Sequence, residues 1–188
     1  MFTIDKDEIV RLTQEYGGDW GTNHTRRLLH LIEIIGADQS YNTDAVWVAA
    51  YLHDWGGYTP WARPGVDHAA RSREVAEQFM TERNYPPDFR ALVLECVASH
   101  HSGDPNRSLE ARLLSDADML DFLGVVGILR DFSKNSRNLR KGYEAVRKRR
   151  KKLPSMLCLD KSKELAAQRI QVMDAMLASF EADSFGCF

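Results

Sequence analysis

The stretch Ala49-Ala50-Tyr51-Leu52-His53-Asp54-Trp55-Gly56-Gly57 constrains this chain more than any other. An apolar helical run, Ala45 to Leu52, breaks into an imidazole and a carboxylate side by side, then into two glycines. Adjacent residues on an α-helix diverge by about 100°, so His53 and Asp54 reach one target only where the helix ends and the target lies beyond its last turn. Gly56 and Gly57 supply that ending, because glycine turns sharply at a helix C-terminus. Polar groups behind so apolar a run need a partner, and a cation serves both. The dipeptide alone also fits a histidine drawn to a helix C-terminus by the dipole. The remainder of the chain has to decide between the two.

Helical periodicity runs through that remainder, and no strand-like alternation stands out. Thr3 to Tyr16 reads as a helix capped by Thr3 or Asp5 and stopped by Gly17-Gly18. Asp19 to Ile35 reads as a second, with His24 in its first turns and Leu28, Leu31, Ile32 and Ile35 on one stripe. Asn42 or Thr43 caps the third, Asp44 to His53. Gly56 to Gly65, rich in proline and glycine, is a loop carrying Tyr58 and Trp61. Asp67 opens a fourth helix with His68 in its first turn, and Pro86-Pro87 a fifth that ends at Ser99-His100-His101-Ser102-Gly103. A sixth begins near Leu109, carries Asp116, Asp118 and Asp121, and bends at Gly124 or Gly127. After a basic linker, Asn135 to Lys141, helices over Tyr143 to Lys152 and Lys161 to Phe180 complete the chain. The pattern predicts an all-α fold of seven to eight helices in one domain spanning 1–188.

Bulk properties exclude several classes. Lys+Arg 25 against Asp+Glu 27 leaves a net charge of -2, which gives no global electrostatic case for nucleic acid. The basic run Arg147-Lys148-Arg149-Arg150-Lys151-Lys152 reads first as a solvated helix face, and after that as a patch that binds nucleic acid or steers anionic substrates. Three cysteines are too few for a disulfide framework or a thiolate metal site, and they suit a reducing cytosol. No stretch approaches the roughly 18 apolar residues of a spanning helix, and the N-terminus lacks a signal-peptide pattern. A cytoplasmic protein without membrane contact is expected.

The residues able to ligate a metal are His24, His53-Asp54, His68, His100-His101 and Asp116/Asp118. Each falls at a helix end or among apolar helical neighbours, where a cavity between packed helices draws side chains inward. Taken together, the pieces His24, Ala49-Ala50-Tyr51-Leu52-His53-Asp54, His68 with Ser72, His101-Ser102 and Asp116-Ala117-Asp118-Met119-Leu120-Asp121 resemble the HD superfamily of metal-dependent phosphohydrolases. The likeness is to its small bacterial and archaeal members, and it covers about residues 20 to 132, with the helices of 141–180 packing on that core.

The resemblance implies an HD-domain helical bundle with His24, His53, Asp54 and Asp118 as metal ligands. Asp118 is preferred to Asp116 by alignment to the family's Ala-Asp-x-Leu, and Asp121 shares its face and can orient a ligand. A mixed imidazole and carboxylate set suits Mn²⁺, Mg²⁺, Co²⁺, Ni²⁺ or Fe²⁺. One ion per chain is expected, since no extra carboxylate obviously bridges two, although His68 with His101 (or His100) offers a second site. The implied chemistry is release of phosphate or pyrophosphate from a small phosphorylated metabolite, chiefly a nucleotide, by a metal-activated water. Asp54, His68 and His101 are the expected catalytic groups, and Arg27, Arg71 and Arg130 the expected phosphate contacts, with Arg63 in reserve. Tyr58 and Trp61 either stack on a base or pack within their loop. The chain lacks the lysine that many HD enzymes carry just after His-Asp, which detaches its specificity from theirs. The alternatives are a non-catalytic nucleotide-binding regulator and, further off, a di-iron oxygenase.

Overall fold

The computed structural model describes residues 2–188. Among the described residues it holds eight α-helices and no strand, so the chain is all-α as its periodicity predicts. The helices are α1 (Lys6–Ile35), α2 (Thr43–Leu52), α3 (His68–Glu82), α4 (Pro87–Ala98), α5 (Leu109–Asp121), α6 (Val125–Lys134), α7 (Leu139–Lys152) and α8 (Asp160–Asp183), with short 3₁₀ turns at Trp55–Gly57 and Leu153–Met156.

The break expected at Gly17-Gly18 is present: two helical segments meet there at a kink and are described together as α1. Gly18 sits at φ 59°, ψ -161° inside α1, a conformation that L side chains avoid, and the helix resumes directly beyond it. Elsewhere the caps follow the sequence. Asp5, Asn42, Asp67 and Ser108 each accept a backbone N–H in the first turn of the helix they precede. The sixth helix, expected to continue through a bend at Gly124 or Gly127 to Phe132, is instead two, because Gly124 at φ 95° breaks it between α5 and α6. The basic linker is shorter than expected, because α7 already starts at Leu139.

Helix α2 lies at the centre. Its Ala45, Val46, Val48, Ala49, Ala50, Tyr51 and Leu52 are all buried, the mark of a helix surrounded on every side. Leu28, Ile32 and Ile35 of α1, Val93 and Val97 of α4, and Leu113, Leu114 and Leu120 of α5 close around it. Each such leucine or isoleucine stabilises the fold by about 1.5–3 kcal/mol relative to exposure. This packing aims the C-terminal ends of α2 and α4 and the middles of α1 and α5 at one point.

Glycine is required after the His-Asp pair, though not for a left-handed turn. A Cβ on Gly56 would stand 2.2 Å from the Ser72 backbone nitrogen of α3, and the Gly56 N–H donates to Ser72 Oγ at 2.8 Å. The 3₁₀ turn therefore seats against α3, which carries His68. No helix among the described residues is long and apolar enough to cross a membrane.

Candidate metal centre

Helix α2 ends at Leu52, and His53 occupies its C-terminal cap. From there the His53 Nδ1–H donates to the Ala50 carbonyl at 2.7 Å, which satisfies the last turn and fixes the tautomer. Its Nε2, with a lone pair, is left buried and without a hydrogen-bond partner. His100 repeats the arrangement at the end of α4: Nδ1–H donates to the Val97 carbonyl at 2.7 Å, and the buried Nε2 has no partner. Arg107 holds this corner against α5, donating to the carbonyls of Ser99 (2.8 Å) and Ser102 (2.7 Å) and to Ser115 Oγ (3.0 Å).

His24 comes from α1 and is buried. Its Nδ1–H donates to Asp121 Oδ2 at 2.8 Å, while its Nε2 stands 3.2 Å from Asp118 Oδ1 and 3.9 Å from Asp54 Oδ2. His53 Nε2 is 3.5 Å from the same Asp54 oxygen. Ligand atoms of His24, His53 and Asp118 all lie within 4.8 Å of one another. A second group, His68, His100 and His101, meets the same limit beside the first. Both carboxylates are divided between the groups. Asp54 turns Oδ2 to His24 and His53 and Oδ1 to His68 at 3.6 Å; Asp118 turns Oδ1 to His24 and Oδ2 to His101 at 3.7 Å.

Electrostatics agree with a cation-seeking site. Burial pulls the His24 imidazole down, but its bonds to Asp118 and Asp121 outweigh burial and push it up to about 9. Burial raises Asp118, and the His24 contact more than reverses this, holding it well below the usual carboxylate range. Asp54 is likewise raised by burial and brought net downward by His53. Burial and the neighbouring His53 depress His100 to about 3, so it stays neutral. A proton on His24 Nε2 occupies the place a metal would take, and binding a cation releases it. Orphaned imidazole nitrogens facing buried carboxylates fit a divalent ion with mixed N/O ligands. Behind His24, Asp121 also accepts from Arg27 Nε (2.6 Å) and Nη2 (2.9 Å) and from Arg130 Nη1. A metal-binding histidine commonly leans on such a carboxylate.

The structure thus brings together His24, His53, Asp54, Asp118, His68 and His101, and adds His100 as a full member rather than a substitute. The arginines separate. Arg130 lines the cavity over the site, whereas Arg27 is engaged behind it by Asp121. Arg71 is not brought to the site: it donates to the Trp61 carbonyl (2.7 Å) and pairs with Glu74 (2.6 Å), and Arg63 faces Glu74 as well. Tyr58 is packed against Gly17 and Gly21, and Trp61 stacks on Trp55 at 4.8 Å and meets Tyr16 edge-on at 4.7 Å, so both loop aromatics pack internally. Asp116 is buried and accepts the backbone N–H groups of Cys158 and Leu159, which ties the start of α8 to α5.

The cavity above these side chains has a volume of about 570 Å³, within the range of small-molecule sites. Asp54, His68, His101 and Asp118 form its base, and Trp20, Phe122, Lys134, Lys148, Arg149 and Lys152 stand among its walls. Lys148, Arg149 and Lys152 of α7 belong to the basic run, whose first reading was a solvated face rather than a cavity wall. Their signal was present, since Ala145, Lys148, Arg149 and Lys152 fall at i, i+3, i+4 and i+7 on one helical face.

A helical bundle that gathers His, His-Asp and Asp from distant helices defines a metal-site scaffold of the HD type. The profile of the HD domain matches residues 21–123, and the chain belongs to the HD-domain family. No curated protein matches the sequence. Among solved structures, YpgQ of Bacillus subtilis in complex with ADP is 23% identical, with 94% of this chain and 96% of that chain covered and a TM-score of 0.71. A predicted HD superfamily hydrolase from an uncultured Thermotogales bacterium is 24% identical, covers 95% and 92%, and has a TM-score of 0.69. An HD-superfamily hydrolase from Bacillus thuringiensis is 19% identical, covers 94% and 95%, and has a TM-score of 0.71. At these identities the likeness is one of fold.

Proposed function

We propose that this chain is a metal-dependent phosphohydrolase acting on small phosphorylated metabolites, with nucleotides as the favoured class. The observation that carries the reading is the buried, partnerless Nε2 of His53 set against Asp54, beside His24 and Asp118. His24, His53, Asp54 and Asp118 would hold the ion. A divalent cation bound there lowers the pKa of water and polarises a phosphoryl oxygen.

The chain's own groups then divide the work. Asp54 lies at the junction of the two histidine groups and can accept a hydrogen bond from the attacking water. His68 and His101 stand partly exposed on the cavity side of Asp54 and Asp118, where either can donate a proton to the leaving oxygen. Arg130, lining the cavity from behind Phe122, adds positive charge near the equatorial oxygens. The exposed face of Trp20 beside Phe122 offers an apolar wall for a base. The ADP bound to the Bacillus subtilis neighbour supports a nucleotide in the corresponding fold.

The division of Asp54 and Asp118 between both histidine groups favours a second reading of metal content, in which His68, His100 and His101 take a second ion. Metal counting by mass spectrometry of the native protein decides between one and two. The function is tested by assaying purified protein with Mn²⁺, Co²⁺, Ni²⁺ or Mg²⁺ against nucleotides and an aryl phosphate. Metal-dependent release of phosphate or pyrophosphate, lost in Asp54→Ala, is expected. Tight nucleotide binding with no product under any metal would instead identify a sensor.

A further inference from the structure

Ser99, His100, His101 and Ser102 form a tight turn at the end of α4, closed by the Ser102 N–H donating to the Ser99 carbonyl at 2.8 Å. The two histidines are its central residues, and the turn sends them apart. His100 goes inward, its ring 5.0 Å from that of His53, while His101 reaches the cavity with Nε2 3.7 Å from Asp118 Oδ2. Bonds within α4 fix only part of this. The His100 Nδ1–H holds the Val97 carbonyl at 2.7 Å and Ser99 Oγ donates to the Glu95 carbonyl at 2.7 Å, but neither sets the distance to Asp118, which comes from α5.

Arg107 sets that distance. Its fork spans the turn: Nη1 donates to the Ser99 carbonyl at 2.8 Å and Nη2 to the Ser102 carbonyl at 2.7 Å, the two residues that flank the histidines. The same nitrogens reach α5, Nη1 to the Ala111 carbonyl at 3.3 Å and Nη2 to Ser115 Oγ at 3.0 Å, while Nε donates to the Asp104 carbonyl at 2.8 Å. None of these acceptors is a carboxylate, so carbonyl and hydroxyl dipoles hold the guanidinium, as they hold basic side chains at helix C-termini. Ala111, Ser115 and Asp118 stand at i, i+4 and i+7 on one face of α5. Arg107 therefore spaces the histidine turn from the helical face that carries Asp118. A lysine ammonium, a compact point charge, could not serve both turn carbonyls and both α5 acceptors at once.

We infer that Arg107 is a positioning residue, which locks the Ser99–Ser102 turn to α5 so that His101 stands at Asp118 and His100 keeps its Nε2 beside His53. The inference rests on the phosphohydrolase reading for what His101 does, but not for how the turn is held. Arg107 itself stands outside the cavity lining and acts through the two histidines. Without the fork the turn is free to swing away from α5, and a displacement of about 1 Å at a catalytic group costs on the order of 100-fold in rate. A purely structural arginine would lower Tm and leave the two rings where they are.

The test compares Arg107→Gln with Arg83→Gln, which breaks the two-bond pairing of Arg83 with Glu8 (2.8 and 2.7 Å) and so controls for loss of stability alone. In the chelated full-length protein, long-range 1H–15N spectra of the imidazole rings should show His100 and His101 shifted in Arg107→Gln and His24 unmoved. In Arg83→Gln all three should keep the parent positions. With Mn²⁺ and an aryl phosphate, Arg107→Gln should lower kcat by about 10- to 100-fold and change KM less than about threefold. Added to His101→Gln it should cost less than about a further twofold, because the two residues act as a unit. Arg107→Lys keeps the charge without the fork and should behave as Arg107→Gln. Ser115→Ala removes one α5 anchor, should shift the same two rings by less, and carries the test if Arg107→Gln does not fold. Unshifted His100 and His101 rings in these variants overturn the inference, as do equal shifts in Arg83→Gln, a parent-like Arg107→Lys, or losses that multiply fully with His101→Gln. Absence of turnover with every metal would defeat the hydrolase reading and leave the ring spectra to judge Arg107.

Discussion

Replacing Asp121 by asparagine separates the two jobs assigned to that carboxylate. The side chain is 1% exposed and accepts from His24 Nδ1, from Arg27 twice and from Arg130. Asp121→Asn would keep the shape but lose the charge, leaving Arg130 buried without its counter-ion. Removing one partner of a buried pair costs about 3–5 kcal/mol. Arg27 retains contact with solvent, so the lower end, about 3 kcal/mol, is expected here. At about 2–4 °C per kcal/mol for a chain of this length, Tm should fall by about 6–12 °C. His24 would meanwhile lose the acceptor that orients its ring, and loss of such support lowers metal affinity by about 10- to 100-fold. Differential scanning calorimetry reads the first effect and Mn²⁺ titration the second. Arg27→Gln serves as the control, since it should lower Tm while largely sparing Mn²⁺ affinity. Should Asp121→Asn bind Mn²⁺ within about twofold of the parent, the role of Asp121 in holding His24 as a ligand is refuted.

The metal-free protein should also lose stability with rising pH. His24 has a folded-state pKa raised to about 9 from 6.5, chiefly because its carboxylate bonds outweigh burial. A raised pKa means that the protonated form stabilises the fold: the contribution is complete below about pH 6.5 and is lost as pH climbs through about 9. Thermal unfolding of chelated protein should show this decline and metal-loaded protein should not; a flat profile across the window counts against the His24 network. Gly56→Ala should destabilise by about 3 kcal/mol, because its Cβ would stand 2.2 Å from the Ser72 nitrogen. Urea denaturation measures that loss, and a variant as stable as the parent would contradict the close seating of the His-Asp turn on α3.

Part of the candidate site was legible in the sequence through local rules, and its proposed ligand set through the likeness to the HD superfamily. A histidine ending an apolar helix can cap the last carbonyl with Nδ1–H, and His53 and His100 both do so. Choosing between His100 and His101 failed as a question, since α4 ends in a way that sends one ring inward and the other to the cavity mouth. Gly17-Gly18 signalled a break and Gly18 makes one, yet the direction of the chain beyond a glycine depends on what it packs against, so the kink between the two segments was not legible. Arg71 lay one turn from His68 and still missed the site, because helical phase is read from sequence but the partner elements are not. The basic run showed the reverse error: its spacing held a cavity-facing stripe, but only the crossing of α6 and α7 over the ligands gives that face a meaning.

Side chains from α1, α5 and the end of α2 are held here to share one cation, and anomalous diffraction from crystals soaked in Mn²⁺ tests this most directly. A peak within about 2.0–2.4 Å of His24 Nε2, His53 Nε2 and oxygens of Asp54 and Asp118 is predicted, at ordinary distances for such donors. A soaked crystal with no ion there, or with His24 and Asp118 too far apart to reach a common point, would contradict it.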